Sequence, residues 1–465
     1  GGTLQIGIGS LGDGVAQALI VRERQNASYR RILAILSRSD QPALPGFCHV
    51  EPFLQGLYGC SEMFVNGFLW LIDAGIVRRR VFPDVALQRL LNHGEITPNV
   101  SPATLVSLST AGRISDPLTA NDVDFLRRFG ILQNDVEWTQ GKLTRAGREY
   151  SASLLAGAPF DAMCANCLGN ALTGGAIMHG GFFLGPRRFY QALREMPPER
   201  LALINMSRIR YINELLGHEE IARLQRTNAR FINTTMMVTL LGAAVSDGLD
   251  SGQLVSGVGG QYNFVAMGHA LPDARSILLL RAWRTKKDEV HSNIVWNYAH
   301  TTIPRHLRDI VITEYGIADL RGHTDEEVIK RLLAIADSRF QPELVAMAKS
   351  NGKLNAGYEI PEAQRHNFPA RIEAALTPWH DEGLLPDFPL GTDFTEDELA
   401  IVRALTRLKR SAEHPLELVK MLVESAMGQV FDARDVPERY LERMGFQEAH
   451  GLKDKLMRSL FVGNI

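Results

Sequence analysis

The sequence predicts an α/β fold whose main sheet is mostly parallel and flanked by helices. Short apolar segments typical of buried strands alternate with segments of helical periodicity, which indicates βαβ connections. The first unit is a strand from Thr3 to Ile8, a glycine-rich turn and a helix from Gly14 to Gln25. A chain of 465 residues with 45% hydrophobic residues is long enough for two or three compact units.

Apolar segments along the rest of the chain predict further strands. They lie at residues 31–36, 201–206, 276–281 and 309–313. Residues 78–175 differ, because short amphipathic pieces with scattered Gly, Pro and Asn favour an inserted, mainly helical segment. The chain is then rich in Pro and Asn from Tyr358 to Phe394, which predicts an extended linker.

A helical extension is predicted at the C-terminal end. Thr395 and Glu398 have the spacing of a capping box, and an apolar helical pattern follows them. A second helix is predicted from the apolar face formed by Leu416, Val419, Leu422, Val423 and Met427. We therefore expect one α/β domain made of residues 1–77 and 176–357, the insertion at 78–175, and a linker with helical extension at 358–465.

Charge and cysteine content limit the classes of partner and compartment. With 50 basic and 52 acidic residues the formal charge is −2, so we expect no general attraction to nucleic acid or to a membrane surface. Only four cysteines are present, which favours a reducing, cytoplasmic compartment. Cys164 and Cys167 form a CxxC pair, but no second pair exists, so we expect buried thiols and no metal.

A GxGxxG pattern from Gly7 to Gly12 follows the first predicted strand. Such a turn can hold the pyrophosphate of a dinucleotide at a helix N-terminus, so NAD binding is one alternative. The motif also requires an acidic residue about 20 positions later, and the nearest suitable residue, Asp40, lies too far along the chain. A tight strand-to-helix turn is therefore the favoured interpretation.

A second glycine-rich segment has the sequence SGVGGQYNF, from Ser256 to Phe264. Three glycines within four residues let a ligand approach the backbone, whose N–H groups can then face an oxyanion or a thioester carbonyl. The alternative is a tight structural turn. We favour a binding role because two amides, Gln261 and Asn263, follow the glycines.

The segment VITEYGIADLRG, residues 311–322, is an apolar strand that ends in acidic, phenolic and basic side chains. Ligands of α/β proteins gather at the carboxyl ends of strands, which makes Glu314 a candidate catalytic residue. An internal ion pair that stabilises the turn is the equally supported alternative. Thr302 lies in an upstream loop that we expect at the same crevice, whereas His300 has no spacing that predicts a site.

Several of these motifs together resemble the acetyl-CoA hydrolase and 4-hydroxybutyrate CoA-transferase family. The similarity spans Thr3 to Phe64 and Gly180 to Phe340, and SGVGGQYNF and VITEYGIADLRG are its most specific motifs. The resemblance implies a NagB/RpiA/CoA-transferase-like fold with two related domains and an active site between them. It also implies that this chain starts at the second domain, that a first domain precedes it, and that the protein is a homodimer.

In that family a glutamate attacks the acyl-CoA thioester and forms an acyl-glutamyl anhydride, from which CoA passes to a carboxylate acceptor. The resemblance implies that residues of the glycine-rich segment line the CoA and oxyanion region, namely Gly257, Val258, Gly259, Gly260, Gln261 and Asn263. The substrate would be a CoA thioester, with water or a small carboxylate as the second reactant and no covalently bound cofactor.

The resemblance fails at the nucleophile. It places the family glutamate at Met237 and a nearby family aspartate at Thr239, and a thioether cannot form an anhydride. Asp247 matches a family glutamate slightly further along and, with Glu314, is a candidate catalytic carboxylate. The sequence and the resemblance thus predict an acyl-CoA hydrolase or CoA-transferase, with acetyl-CoA as the expected substrate. A non-catalytic CoA-binding module and an NAD-binding protein remain alternatives.

Overall fold

The computed structural model describes residues 1–37, 48–286, 289–412, 437–447 and 452–462. Asp40 and the second predicted C-terminal helix, with Leu416, Val419, Leu422, Val423 and Met427, lie outside these residues. The strands are β1 (Gly2–Ile6), β2 (Leu57–Val65), β3 (Glu137–Thr139), β4 (Lys142–Arg145), β5 (Arg148–Ser151), β6 (Met178–Leu184), β7 (Ile204–Met206), β8 (Ala229–Thr234), β9 (Met237–Thr239), β10 (Ala244–Val245), β11 (Arg275–Leu279), β12 (Trp283–Lys286), β13 (Glu289–Ser292), β14 (Ile294–Val295), β15 (Ile310–Thr313) and β16 (Gly316–Asp319).

The α-helices are α1 (Ser10–Arg24), α2 (Asn26–Leu36), α3 (Asn66–Asp73), α4 (Val85–His93), α5 (Pro102–Thr110), α6 (Ala120–Arg128), α7 (Ala158–Cys167), α8 (Arg187–Glu195), α9 (Pro198–Leu201), α10 (Ile209–Asn213), α11 (Glu219–Gln225), α12 (Gln261–Ala270), α13 (Asp325–Ala334), α14 (Gln341–Ser350), α15 (Pro369–Asp381), α16 (Glu396–Ala412), α17 (Glu438–Arg443) and α18 (Leu452–Val462). No helix of the described ranges is both long and apolar enough to cross a bilayer. By contacts the chain divides into two units, Gly1–Leu390 and Gly391–Ile465.

The first unit is built on an eight-stranded sheet of order β16-β15-β11-β8-β1-β2-β6-β7. Every neighbouring pair is parallel except β15 and β16, which form an antiparallel hairpin. Helices pack on the sheet, and the core includes Ile6 of β1, Phe64 of β2 and Phe231 of β8. The predicted α/β class with a mostly parallel sheet is confirmed.

The order in which the chain adds strands to the sheet changes sides at β1. The chain runs from β1 through β2 and β6 to β7 on one side, and then returns to β8, which pairs with the other side of β1 before the chain continues to β11 and β15. In open α/β sheets such a switch point leaves a crevice at the carboxyl ends of the two central strands. The crevice outside β1 and β8 is therefore where a ligand site is expected.

Three of the predicted strands are present with small shifts of boundary, namely β1, β11 and β15. The prediction of a strand at 31–36 is wrong, because these residues form the second half of α2. Ile32 is the buried residue of that helix and packs with Val21 and Trp379, so the segment is buried on one side only. The strand predicted at 201–206 is limited to β7, which lies at the sheet edge and is largely exposed.

Residues 78–175 contain helices α4 to α7 and also a three-stranded antiparallel sheet, β3-β4-β5, which the sequence did not predict. They have a hydrophobic core of their own, formed by residues between Phe82 and Leu172. Cys164 and Cys167 lie in α7 as free thiols whose pKa values burial raises to about 11. A high thiol pKa disfavours the thiolate that redox exchange requires. Among the described residues, no group of three or more His, Cys, Asp or Glu side chains is placed to hold a metal ion.

The extended linker predicted from Tyr358 to Phe394 is wrong over residues Pro369–Asp381, which form α15. Trp379 of this helix is buried, which explains why the segment is folded despite its proline content. In the second unit the predicted capping box is present, since the Thr395 N–H donates to Glu398 Oε2 and the Glu398 N–H donates to Thr395 Oγ1. Ile401 and Ala404 of α16 contribute to the core of this unit.

A buried histidine makes the stability of the first unit depend on pH. The Nδ1 of His179 lies 2.8 Å from Tyr58 Oη, and burial, reinforced by the Arg226 guanidinium, lowers the pKa of His179 from 6.5 to about 4. The unfolded chain takes up this proton near pH 6.5, whereas the folded chain does so only near pH 4. Stability therefore falls as the pH falls through this window.

We expect His179 to account for on the order of 2 kcal/mol of the stability lost between pH 7 and pH 4.5. Urea unfolding of the wild type and of His179→Gln at both pH values measures this quantity. The loss between the two pH values should be smaller in the variant by that amount. Equal losses in the two proteins would contradict the assignment, whatever the variant's stability at pH 7.

Candidate functional site

The two central strands are joined by a buried pair of amides next to the predicted crevice. Gln5 Nε2 donates to Asn233 Oδ1 and Asn233 Nδ2 donates to Gln5 Oε1, both at 3.2 Å. β1 is followed by the turn that contains the GxGxxG pattern. A Cβ at Gly12 would overlap the carbonyl oxygen of Gly7, so this glycine is needed for close packing of α1 on the strand. That contact supports the structural interpretation of the motif.

The second glycine-rich segment lies between β8 and β11 and leads into α12. Gly257 and Val258 are exposed, Gly259 has a φ of 54° and Gly260 is buried at the start of the helix. The left-handed φ of Gly259 favours glycine at this position. No side chain caps the helix, so the first N–H groups of α12 lack the usual capping partner.

The two amides that follow the glycines have different positions. Gln261 Nε2 donates to the carbonyl oxygen of Thr234 at 3.1 Å, which attaches the start of α12 to the carboxyl end of β8. Asn263 is partly buried in the first turn of the helix. The structure therefore brings the glycine-rich loop to the end of one of the two central strands.

A carboxylate that sequence reasoning did not select lies beneath this loop. A Cβ at Gly260 would overlap Glu62 Oε2 and would lie 2.6 Å from Asn213 Nδ2. Asn213 Nδ2 donates to Glu62 Oε2 at 2.6 Å, while the buried Asn213 Oδ1 has no hydrogen-bond partner among the described residues. Glu62 thus lies near the N-terminal end of α12, where the helix dipole favours an acidic side chain.

Asp247 lies at the beginning of the segment that leads to the glycine-rich loop, and its residue surface is 7% exposed. Its Oδ1 accepts a hydrogen bond from Thr302 Oγ1, and its Oδ2 lies 3.4 Å from His300 Nε2. The Thr302 hydroxyl and the His300 ring lower the pKa of Asp247, so the carboxylate is ionised. Thr302 thus lies beside Asp247, while its predicted position at the same crevice as Glu314 stays a prediction.

Glu314 follows β15 directly and is partly buried. Burial raises the pKa of its carboxyl group, although the N–H of Ala282 donates to Oε2 at 2.9 Å and opposes this shift. The ion pairs formed by residues 311–322 have partners outside this segment, since Asp319 binds Arg275 and Arg321 binds Asp309. Glu314 is therefore not a member of an internal ion pair of residues 311–322.

The positions that the resemblance assigns to the family acids are buried in a small sheet, β10-β9-β14. Met237 is 4% exposed and pairs with Val245 of β10. Thr239 is 5% exposed, and its hydroxyl accepts a hydrogen bond from the Ala243 N–H at the β9–β10 turn. Both side chains therefore contribute to the structure of this sheet.

Sequence reasoning missed Glu62, Asn213 and His300. Glu62 had a detectable signal, because it is a single acidic residue inside the apolar strand β2. Asn213 and His300 had none, because their neighbours in space are distant in sequence. The hydrogen bonds of Glu314 and of Asp247 belong to different networks, one at Ala282 and one at His300 and Thr302.

Comparison with known proteins identifies residues 185–348 as a match to the family model "Acetyl-CoA hydrolase/transferase C-terminal domain". The 4-hydroxybutyrate coenzyme A transferase of Clostridium kluyveri is 26% identical over 165 residues, which are 35% of this chain and 36% of that protein. The succinyl-CoA:cyclohexane-1-carboxylate CoA transferase of Geobacter metallireducens is 30% identical over 178 residues, 37% of each chain. The matched region thus spans little more than a third of these curated relatives.

Among solved structures, RipA from Yersinia pestis aligns with a TM-score of 0.42 and 19% identity, over 76% of this chain and 50% of that one. The family match covers the glycine-rich loop, Asp247, His300 and Glu314, the residues around which the site is built. Residues 185–348 are therefore similar to the acetyl-CoA hydrolase/transferase family, as the motifs of this segment predict.

Proposed function

We propose that the protein is an enzyme that binds acyl-CoA, with acetyl-CoA as the first substrate to test, and breaks its thioester at the glycine-rich loop. The observation that carries the proposal is the family match, because it includes the loop residues 257–260 at the uncapped start of α12. Backbone N–H groups at such a position can stabilise the oxyanion that develops when a thioester is attacked. Water or a small carboxylate would be the second reactant.

Two carboxyl groups of the matched segment have pKa values displaced in opposite directions. Burial raises that of Glu314, and hydrogen bonding by Thr302 lowers that of Asp247. Two carboxyl groups whose pKa values are shifted in opposite directions are suited to different steps of a reaction. The group with the raised pKa can carry a proton, and the group with the lowered pKa remains charged. We therefore assign a proton-transfer role to Glu314 and an electrostatic role to Asp247.

The alternative is a module that binds CoA without reacting. The burial of Met237 favours it, because the residue that the resemblance aligns with the family nucleophile is a thioether packed in a small sheet. A homodimer in the cytoplasm is the assembly and compartment we propose in either case.

Titration calorimetry with CoA and acetyl-CoA, followed by a thiol-release assay on the same sample, distinguishes these functions. For the enzyme we expect saturable binding, with a dissociation constant between about 1 μM and 1 mM, and release of free CoA thiol. The assay is run with and without acetate. Binding without thiol release would support the non-catalytic module, and absence of binding would contradict both functions.

A further inference from the structure

We propose that a cationic cavity beside the amino end of β15, remote from the glycine-rich loop, binds a ligand through one or more phosphate groups. The cavity has a volume of about 530 Å³, which lies in the range of small-molecule sites. Of the eight described residues that line it none is acidic, and six have basic side chains, namely Arg305, Arg308, Arg321, His269, His306 and His323. This binding would be a second property of the protein and does not depend on the acyl-CoA function proposed above.

The cationic cavity and the glycine-rich loop lie at opposite ends of the parallel strands. β15 runs parallel to β11 and β8, so its carboxyl end lies on the side of the crevice and its amino end lies on the other side. The short turn Arg305–Leu307 precedes β15, and Arg321 follows its antiparallel partner β16. His269 lies in the last turn of the ten-residue helix α12, whose first turn follows the loop. The cavity is thus separated from the loop by about 15 Å, the length of that helix.

Three cations share one carboxylate on one side of the cavity. The Nη1 atoms of Arg305 and Arg308 lie 2.9 and 3.0 Å from Asp325 Oδ1. The Nζ of Lys353 lies 3.6 Å from the other carboxylate oxygen. One negative charge does not compensate three positive charges, and like charges this close repel one another. A bound anion would reduce that repulsion, so the charge distribution favours an anion in the cavity.

A buried hydrogen-bond donor of Arg321 gives a second indication of a ligand. The guanidinium of Arg321 binds Asp309, whose carboxylate also binds Arg275. Its two Nη atoms also donate to the carbonyl oxygens of Ala274 and Gly268. Its Nε is buried and has no hydrogen-bond partner among the described residues. Such buried donors are rare, and a bound ion is one of the ways in which they are satisfied.

The number and kind of donors favour phosphate over carboxylate as the ligand group. A phosphate ester presents three acceptor oxygens and close to two negative charges at neutral pH, whereas a carboxylate presents two oxygens and one charge. Guanidinium groups bind such oxygens through pairs of parallel hydrogen bonds. Three arginines reach the cavity from the two ends of the β15–β16 hairpin. Inorganic phosphate, pyrophosphate and the phosphates of a nucleotide share this chemistry, and their relative affinities distinguish the source.

The imidazole of His269 responds to the charge in the cavity. Its Nε2 lies 3.0 Å from the carbonyl oxygen of Leu307, and burial, reinforced by the Arg321 guanidinium, lowers its pKa from the usual 6.5. An anion beside Arg321 would oppose the second of these effects. We therefore expect saturating pyrophosphate to raise the pKa of His269, measured from the ring NMR resonances that are missing in His269→Gln. An unchanged pKa would place the anion elsewhere and contradict this site.

The direct test is titration calorimetry of pyrophosphate, phosphate and ADP into the full chain, without CoA and at constant ionic strength. We expect saturable binding of pyrophosphate with a dissociation constant of about 1 mM or lower. Phosphate should bind more weakly, because it has less charge. ADP that binds more tightly than pyrophosphate would identify a nucleotide as the ligand, and ADP that binds more weakly would identify an inorganic anion.

The double variant Arg305→Gln/His306→Gln removes two donors that are exposed and lie outside the hydrophobic core. We expect its affinity for pyrophosphate to fall at least about tenfold, because hydrogen bonds between charged groups contribute that much or more. Arg127→Gln is the matched control. Arg127 lines another cavity, of about 470 Å³, but lies 3.8 Å from the carboxylate of Asp124, which lines the same cavity. The affinity of the control for pyrophosphate should remain within about twofold of the wild type.

Titration of CoA with and without saturating pyrophosphate separates the cationic cavity from the acyl-CoA site. We expect the dissociation constant of CoA to change less than about threefold, because distant sites that share no partners act nearly independently. Competition between CoA and pyrophosphate, absence of saturable pyrophosphate binding, or an unchanged affinity in the double variant would each overturn the inference. If pyrophosphate binds and CoA does not, the acyl-CoA function fails while the phosphate site stands.

Discussion

Gly260→Ala is expected to lower acetyl-CoA turnover by about 100-fold or more, the effect of losing a donor to the oxyanion. The added Cβ would overlap the Glu62 carboxylate and lie 2.6 Å from Asn213 Nδ2 and 3.2 Å from Asn213 Cγ. Asn213 is buried, so the loop backbone has to move if the side chains cannot. The N–H groups at the start of α12 would then no longer face the substrate.

Turnover is measured by thiol release, and far-ultraviolet circular dichroism verifies that the variant is folded. Gly14→Ala is the control, because this exposed glycine of α1 has no heavy atom within 4 Å of an added Cβ. It should retain the wild-type rate. If Gly260→Ala is folded and also retains that rate, the loop is not the oxyanion site.

Asp309→Asn should reduce the free energy of unfolding of the protein by about 3–5 kcal/mol, because it removes the charge of a buried ion pair. The Asp309 side chain is 1% exposed and lies between the guanidinium groups of Arg275 and Arg321. It also accepts the N–H of Ser276 at 2.7 Å. In the variant, the guanidinium groups of Arg275 and Arg321 would remain partly removed from water, but the negative charge that compensates them would be lost.

Urea unfolding measures the change, with Glu149→Gln as the control. Glu149 pairs with Lys142 on the surface, where the two side chains are 62% and 57% exposed. Loss of that pair should cost no more than about 1 kcal/mol. A similar small loss in Asp309→Asn would mean that Asp309 contributes no more than a surface charge.

The sequence predicted those strands and helix ends that depend on residues close to one another in the chain. The apolar segments of β1, β11 and β15 are short and bounded by turn residues, and Thr395 with Glu398 forms the predicted capping box. Residues 31–36 were misassigned because a short apolar run fits both a strand and a one-sided helix. What made the segment a helix is the contact of Ile32 with Val21 and Trp379, the last of which is more than 340 positions away.

In the candidate site, too, sequence patterns suggested some residues, and only the folded structure indicated others. The glycine-rich loop was proposed as part of the site because a run of glycines has a direct conformational meaning, and Asp247 was proposed through the resemblance. Thr302 was expected near the crevice, and it binds Asp247. The residues that were missed, Glu62 and His300, contact partners 151 and 53 positions away in sequence.

By itself the sequence determined the α/β class, the similarity of residues 185–348 to the acetyl-CoA hydrolase/transferase family and the presence of methionine at position 237. These properties follow from hydrophobic periodicity and from motifs that are continuous along the chain. Only the tertiary structure decided that Asp247 meets His300 and that Glu62 lies beneath Gly260. The sheet order brings these residues together, and long-range strand pairing, unlike local periodicity, is not encoded in any single segment.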